Sequence, residues 1–467
     1  MKRIFFIFIV LGFSLTICSQ DKAKYVFYII GDGMGLNQIN GTEMYLAELD
    51  GKIGVNPLLF TQFPVVGLAR TFSASSGVTD SAAAGTALAT GSKTKNGTIG
   101  LDSTLVNPVY SVAVKAKNKG KKVGIVTSCG LDDATPAAFY AHQPKRNMHY
   151  EIALDAITSD FDFFGGATFT KPETRYDGSK GPNVYLQMEE KGYVLAYGYD
   201  DYKKKTPYAN KMILMERKEA DLYDLMYAID RDKTNLSLAQ ITEAAIEQLT
   251  RDNSDGFFLM IEGGTIDMAC HANDAATAIA EVIDLNESVK IAYDFYQNHP
   301  EETLIIVTAD HETGGMVLGT GASQLNLKVL QHQTISQNAL SSKIVELRKQ
   351  KDNKVSWEDI KSLLSETMGL WSEVPMSDLE EKLIYEAFDD TFVKGNLTKE
   401  KSLYQEDEKI SVIARNILNK KALVSWTSRN HSAGFAPVFA LGVGAELFNH
   451  MMDNTCIPNI ITEVAGY

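Results

Sequence analysis

Five short runs of apolar, β-branched and aromatic residues punctuate the chain: Tyr25 to Ile30, Val123 to Thr127, Phe257 to Ile261, Leu304 to Thr308 and Val438 to Val443. Each is bounded by Gly, Asp or Pro. A strand buried on both faces reads as such a continuous run, whereas a half-exposed strand alternates apolar with polar positions. Helical periodicity fills the intervals. Strand and helix in alternation predict an α/β fold with a central, mostly parallel sheet flanked by helices on both faces.

The stretch from about Leu318 to Val424 has a different texture. It is charged, and Ser356 before Asp359 and Ser377 before Glu380 each open an apolar periodic run, the signature of a capped helix. It reads as a helical insertion, about 318–424, into a domain spanning 21–467. A second, loop-rich segment, Lys171 to Lys211, is rich in Tyr, Gly and Lys. The first 20 residues read as an export signal: Lys2 and Arg3 precede an apolar run, Ile4 to Ile17, that is too short for a comfortable membrane span. Cys18 after Leu15-Thr16-Ile17 loosely resembles a lipid-attachment box, although Ile17 is a poor neighbour for one. Ordinary cleavage near Ser19-Gln20 fits as well, and a retained signal anchor is the third option. Export would place the protein in the periplasm, outside the cell, or on the outer surface as a lipoprotein.

Composition narrows the chemistry. Apolar residues make up 45% and charged residues 22% of 467, an ordinary globular balance with enough chain for a large core. The 45 basic and 59 acidic side chains leave a net charge of −14, which argues against a general nucleic-acid binder. Phosphate substrates stay in play, because a bound metal reverses the local field. The four cysteines, Cys18, Cys129, Cys270 and Cys456, form neither a CxxC pair nor a disulfide framework. Any metal must therefore be held by His, Asp, Glu and hydroxyl groups.

Acidic and polar residues gather where the apolar runs end. Asp32 follows Ile30-Gly31, Asp133 and Thr135 follow the Val123 run, Glu262 closes the Phe257 run, and Asp310-His311 close the Leu304 run. Ligands of open α/β sheets bind outside the carboxyl ends of the strands. Carboxylates crowded at one rim repel each other unless cations lie between them. Three further segments carry candidate chemistry. In Val78-Thr79-Asp80-Ser81 followed by an Ala-rich run, Asp80 or Thr79 can cap a helix and place Ser81 in its first turn, where free N–H groups favour an anion. Asp267 and His271 are four residues apart and share a helix face, a workable metal pair. His431 lies in Asn430-His431-Ser432-Ala433-Gly434 and is weak evidence alone.

Taken in order, Gly31-Asp32-Gly33-Met34-Gly35, Thr79-Asp80-Ser81, Asp133-Ala134-Thr135-Pro136-Ala137-Ala138, Glu262 through His271 and Asp310-His311-Glu312-Thr313-Gly314-Gly315 resemble the motifs of the alkaline phosphatases. Phe435-Ala436-Pro437-Val438 and Gly442-Val443-Gly444-Ala445 extend the likeness. The resemblance implies hydrolysis of small phosphate monoesters at alkaline pH through a phosphoserine on Ser81, with two zinc ions and one magnesium per chain. It implies Asp267, His271 and His431 at the first zinc, and Asp32, Ser81, Asp310 and His311 at the second. Thr135 and Glu262, with Asp32 as bridge and Asp133 directly or through water, would hold the magnesium. Arg146 resembles the phosphate-clamping arginine, whose planar fork holds two oxygens where Lys145 could not. Homodimers are frequent in the family, but no hydrophobic stripe here decides the matter.

Some features depart from the pattern. Ser432-Ala433-Gly434 after His431 differs from the commoner Thr-Gly, leaving His450 and His332 as substitute ligands. His142 reads as structural, and His149 and His299 read as surface residues. A sulfatase would want a modifiable residue in a C/S-x-P-x-R context, which Ser81 lacks. A diesterase would need room for a second substituent, and a phosphate- or metal-binding envelope protein would need no turnover at all. Met268 stands where many family members carry Lys, His or Trp beside the first zinc, and Met cannot reach phosphate through water. Met268→Lys is expected to change both phosphate affinity and the pH optimum without abolishing activity. Phosphate inhibition and a pH–rate profile check this, and no change in either overturns it.

Overall fold

The computed structural model describes residues 22–217, 223–321 and 323–467, so the export signal and Cys18 lie outside the described residues. Ten strands form the central sheet: β1 (Tyr25–Gly31), β2 (Val65–Arg70), β3 (Lys122–Thr127), β4 (Phe163–Gly166), β5 (Tyr193–Tyr197), β6 (Lys211–Met215), β7 (Phe257–Gly263), β8 (Thr303–Ala309), β9 (Ala436–Gly442) and β10 (Met451–Asp453). Their spatial order is β10-β2-β9-β8-β1-β7-β3-β4-β6-β5. Strand β9 runs antiparallel to both neighbours, β8 and β2, and every other pairing is parallel.

All seven residues of β1, β7 and β8 are buried, so both sheet faces are covered. Successive residues of β1 show by what. The Phe27 ring meets Phe295 of the helix Ala275–Asn298, while Tyr28 donates its hydroxyl to the Leu88 carbonyl of the helix Ser81–Thr90. Neighbouring side chains on a strand point to opposite faces. The helices Leu238–Thr250 and Ala275–Asn298 pack together on one face. The helices Ser81–Thr90, Val112–Asn118, Ala134–Ala137 and Cys456–Ala465 group on the other. The five apolar runs correspond to β1, β3, β7, β8 and β9.

Between the short strands Met316–Leu318 and Val424–Trp426, which pair antiparallel, the chain forms four helices: Gln337–Gln350, Trp357–Met368, Asp378–Phe388 and Lys409–Lys421. Ile344, Ile360, Leu364, Ile384 and Leu418 from these helices make a second hydrophobic cluster against Ala275, Ala276 and Ile279. Ser356 with Asp359 and Ser377 with Glu380 form reciprocal capping boxes. The loop-rich segment Lys171 to Lys211 carries regular elements between its loops. It holds the helices Val184–Glu190 and Tyr199–Lys205 and strand β5, because burial of Val184, Met188, Leu195 and Tyr202 outweighs the local polarity. Cys129, Cys270 and Cys456 are free thiols. Among the described residues no helix is long and apolar enough to cross a membrane.

Ile306 in β8 is fully buried, and Ile306→Ala should cost about 2–5 kcal/mol in urea unfolding through lost burial and a residual cavity. Ile53→Ala, at a fully exposed site, should stay within about 0.5 kcal/mol. The Lys351 ammonium and the Ser356 backbone and hydroxyl groups hold the Asp359 carboxyl down at about 2. A depressed carboxyl stabilises the fold above its unfolded-state pKa, and that contribution is lost as the pH falls through the folded value. The stability gap between wild type and Asp359→Asn should therefore be constant near neutral pH and narrow below about pH 4.

Candidate active site

The rim of the sheet assembles the site because β1, β7 and β8 lie side by side in register. Gly31 is level with Gly263 and with Ala309, so Asp32 and Asp310 emerge at one height, while Glu262 sits on β7 level with Ile30. Asp32 donates its backbone N–H to the Gly263 carbonyl, and the Gly33 N–H donates to Asp310 Oδ1 at 3.1 Å. Gly33 sits at a φ of +68°, with Asp267 and Thr313 where a Cβ would go, so only glycine fits this turn.

The Thr135 hydroxyl donates to Asp32 Oδ2 at 3.2 Å, and the Thr127 hydroxyl donates to Glu262 Oε2. Glu262, Asp310 and Thr135 are wholly buried, and Asp32 nearly so. Asp32 Oδ1, Glu262 Oε1 and Asp310 Oδ2 nevertheless have no hydrogen-bond partner. Burial and then the neighbouring Asp310 charge push Asp32 well above the usual carboxylate range. Burial and then Asp133 do the same to Glu262. Buried carboxylate oxygens are ordinarily satisfied. Two of these residues, Asp32 and Asp310, group with His311 closely enough to share a hard or borderline cation.

Three imidazoles close the other side. The His271 Nδ1 lies 2.5 Å from the Arg429 carbonyl oxygen, and the His431 Nδ1 lies 2.9 Å from that of Thr79. A carbonyl only accepts, so Nδ1 carries the proton in both rings and Nε2 keeps its lone pair. Those two Nε2 atoms converge to 3.1 Å, and Asp267 Oδ2 stands 3.2 Å from that of His271. Burial and the adjacent His311 push His431 down to about 4, so its ring is neutral. Two facing lone pairs beside a carboxylate repel unless a cation takes them. His311 stacks on His431 with ring centres 3.6 Å apart, and its Nε2 lies 3.1 Å from Asp310 Oδ2 and 3.3 Å from Ser81 Oγ. Two groups thus have the proximity of metal donors, Asp267–His311–His431 and Asp32–Asp310–His311.

Asp80 caps the helix Ser81–Thr90 by accepting from the Ala83 N–H, which sets buried Ser81 in the first turn. Arg146 reaches the same space. Its Nη2 is 3.3 Å from Asp133 Oδ1 and its Nη1 is 3.6 Å from Asp80 Oδ2, contacts loose enough to leave the fork available. A cavity of about 380 Å³ opens beside it, lined by Asp133, Arg146, His149, Asp224, Met268 and Tyr404 among others.

Every site residue singled out in the sequence therefore lies at this rim. The substitutes do not: His450 is exposed, and His332 packs against Gly369. His142 binds the Gly100 carbonyl through Nδ1 at 2.7 Å. His149 is not a surface residue, because it lines the cavity with Nδ1 3.3 Å from fully buried Asp132. Four participants escaped the sequence reading. Thr313 donates to Asp267 and lies 3.2 Å from the His311 Nδ1, Thr127 holds Glu262, Asp224 lines the cavity, and Tyr404 packs edge-on against His271. Thr313 lies within the glycine-rich motif and could have been found there, but nothing near Tyr404 in the chain signals a role.

The alkaline phosphatase family model matches residues 23–467. Alkaline phosphatase 4 of Bacillus subtilis is 31% identical over 95% of this chain and 90% of its own length. Alkaline phosphatase 3 of the same organism is 30% identical over 96% and 90%. Among solved structures, the cold-active alkaline phosphatase of a psychrophilic Shewanella superposes with a TM-score of 0.79 at 26% identity, covering 94% of this chain and 99% of its own. The enzyme of the Antarctic bacterium TAB5 gives 0.66 at 26% identity, covering 96% and 99%. A variant of the TAB5 enzyme was solved with magnesium bound. On the strength of the whole-chain match and the shared fold, this chain belongs to the alkaline phosphatase family and is a metal-dependent phosphoric monoester hydrolase.

Proposed function

We propose that Ser81 is the nucleophile of phosphomonoester hydrolysis and that three metal ions, two zinc and one magnesium, are held by the residues around it. The observation that carries this reading is the meeting of the two donor groups at His311, 3.3 Å from Ser81 Oγ, with unpartnered buried carboxylate oxygens on the same rim. Asp267, His271 and His431 would hold one zinc, and Asp32, Ser81, Asp310 and His311 the other. Thr135, Glu262 and Asp32 would hold magnesium, with Asp133 direct or through water. When bound, such ions stabilise the attacking and leaving oxygens of an in-line displacement and supply hydroxide near neutral pH.

The chain's own groups do the rest. Ser81 Oγ attacks phosphorus from the first turn of its helix, where unpaired N–H groups and the positive dipole end favour the incoming dianion. A phosphoserine forms as the alcohol departs, and hydrolysis releases inorganic phosphate. Arg146 holds two non-bridging oxygens, and Asp133 and Asp80 aim its fork. Thr127 and Thr313 fix the carboxylates of Glu262 and Asp267, and the Thr79 and Arg429 carbonyls fix the tautomers of His431 and His271. Export fits the basic and apolar start of the chain, and the helices between residues 318 and 424 form an insertion that flanks the site.

Para-nitrophenyl phosphate hydrolysis at alkaline pH tests the reading. Zinc- and magnesium-dependent turnover is expected in wild type, with a loss of at least about a thousandfold in Ser81→Ala. No turnover by the fully metallated wild type would overturn the catalytic assignment, and retention of activity in Ser81→Ala would overturn the nucleophile.

A further inference from the structure

Within the insertion, the strands Lys399–Lys401 and Glu406–Glu408 pair antiparallel, and the turn between them reaches the catalytic cavity. Leu403 and Tyr404 at its tip are exposed, Leu403 at 55% and Tyr404 at 39%. Turns at a surface usually carry small polar residues, so a leucine and an aromatic ring side by side at this tip call for a reason. The tip is also held in place. The Ser402 N–H donates to the Gln405 carbonyl at 2.9 Å, and the Gln405 amide donates to the Tyr227 hydroxyl at 3.1 Å. Arg429 donates to Glu400 at 2.9 Å, and the Tyr404 ring meets the His271 ring edge-on with centres 5.3 Å apart.

The lining of the 380 Å³ cavity divides by chemistry. Its polar groups are tied to neighbours: Arg146 to Asp133 at 3.3 Å, His149 to Asp132 at 3.3 Å, and Asp224 to the Gly130 N–H at 3.2 Å. Leu403, the Tyr404 ring and Met268 make the apolar part. Met268 follows Asp267 in the helix Thr265–His271, so this part adjoins the Asp267–His271–His431 side of the site. Ser81 belongs to the other side, 3.3 Å from the His311 that meets Asp310 and Asp32. On the mechanism proposed above, on which this argument rests, displacement is in line, and the alcohol departs on the side of phosphorus away from Ser81. Its carbon substituent then has Leu403, Tyr404 and Met268 to lie against.

We propose that Leu403, Tyr404 and Met268 form a subsite for the organic half of the substrate, which favours monoesters of apolar alcohols, aromatic ones above all, over monoesters of polyols or of alcohols that carry a carboxylate. An aromatic group covers the exposed Leu403 and Tyr404 surface and takes it out of water, and its ring meets the Tyr404 ring. A polyol gives up hydrogen bonds to water at this wall without replacing them. Asp133 and Asp224 in the same lining oppose a second negative charge on the alcohol. Arg146 takes the phosphate whatever alcohol is attached, so the rim of the sheet sets the reaction and the insertion sets the selectivity.

The kcat/KM values of the metallated full-length enzyme for benzyl phosphate and for glycerol 1-phosphate test the subsite, because both release an unactivated primary alcohol and differ in what meets the wall. Even one methylene in an apolar pocket changes specificity roughly 10–200-fold, so wild type should prefer benzyl phosphate by at least about tenfold. Leu403→Ser and Tyr404→Ser should each lower that preference by at least about threefold. Leu397→Ser, at an exposed leucine of the insertion outside the cavity lining, should leave it unchanged. A wild-type ratio near one, or a ratio indifferent to both Leu403→Ser and Tyr404→Ser, overturns the proposal. Titration calorimetry with benzylphosphonate and methylphosphonate, which are not hydrolysed, separates the subsite from the catalytic assignment. Tighter binding of benzylphosphonate by an enzyme without turnover supports the subsite while the reaction fails, and equal or absent binding of the two overturns the subsite.

Discussion

The structure depends on a concentration of negative charge that the protein alone does not neutralise. Parallel register brings Asp32 and Asp310 to one height at the ends of β1 and β8, with Glu262 on the strand beside them level with Ile30, and burial strips all three of water. One oxygen of each has no hydrogen bond. An uncompensated buried carboxylate is expensive enough that it would rather be protonated, which is the direction in which burial pushes Asp32 and Glu262. Divalent cations bound at this rim would remove the conflict. The hydrophobic strands serve this end, because only strands buried on both faces hold the rim rigid while its charges repel.

Direction is imposed on the imidazoles from outside the donor set. Two backbone carbonyls, from Thr79 and Arg429, take the Nδ1 protons of His431 and His271. Each carbonyl belongs to a segment far away in the chain from the ring that it orients. A histidine so held presents a lone pair from Nε2 without paying the entropy of choosing a tautomer. Asp80 has a similar double duty: one oxygen caps the helix that carries Ser81, and the other holds the Gly97 N–H close to Arg146. Ser81 and the Arg146 guanidinium are thereby registered to the same carboxylate.

The helices between the Met316–Leu318 and Val424–Trp426 strands bring further groups to the rim and its surroundings. Their hairpin, Lys399–Lys401 paired with Glu406–Glu408, carries Tyr404 to the edge of the His271 ring and into the catalytic cavity. Arg429 binds Glu400 of that hairpin at 2.9 Å while its carbonyl orients His271. Packing of the insertion and orientation of a histidine thus run through one residue. Buried Arg415 of the same region donates to the Gln337 and Asn416 amides.

Much of this was legible from the chain alone. Continuous apolar runs can only be strands covered on both faces, so β1, β3, β7, β8 and β9 and the layered fold followed from pattern, and the acids at the run ends marked the rim. Local chemistry likewise placed Ser81 in the first turn of a capped helix and Asp267 and His271 on one helical face. The short strands β4, β5 and β6 on one side of the sheet stayed hidden, since four- and five-residue strands carry little periodic signal and owe their form to their neighbours. The rest is a matter of distance in space. His149 looked exposed because its chain neighbours are polar, yet folding sets it beside Asp132. Tyr404 meets His271, and buried Arg415 meets Gln337, for the same reason: contacts between residues far apart in the chain, and the dielectric in which a charge ends up, exist only once the sheet and the helices have closed around them.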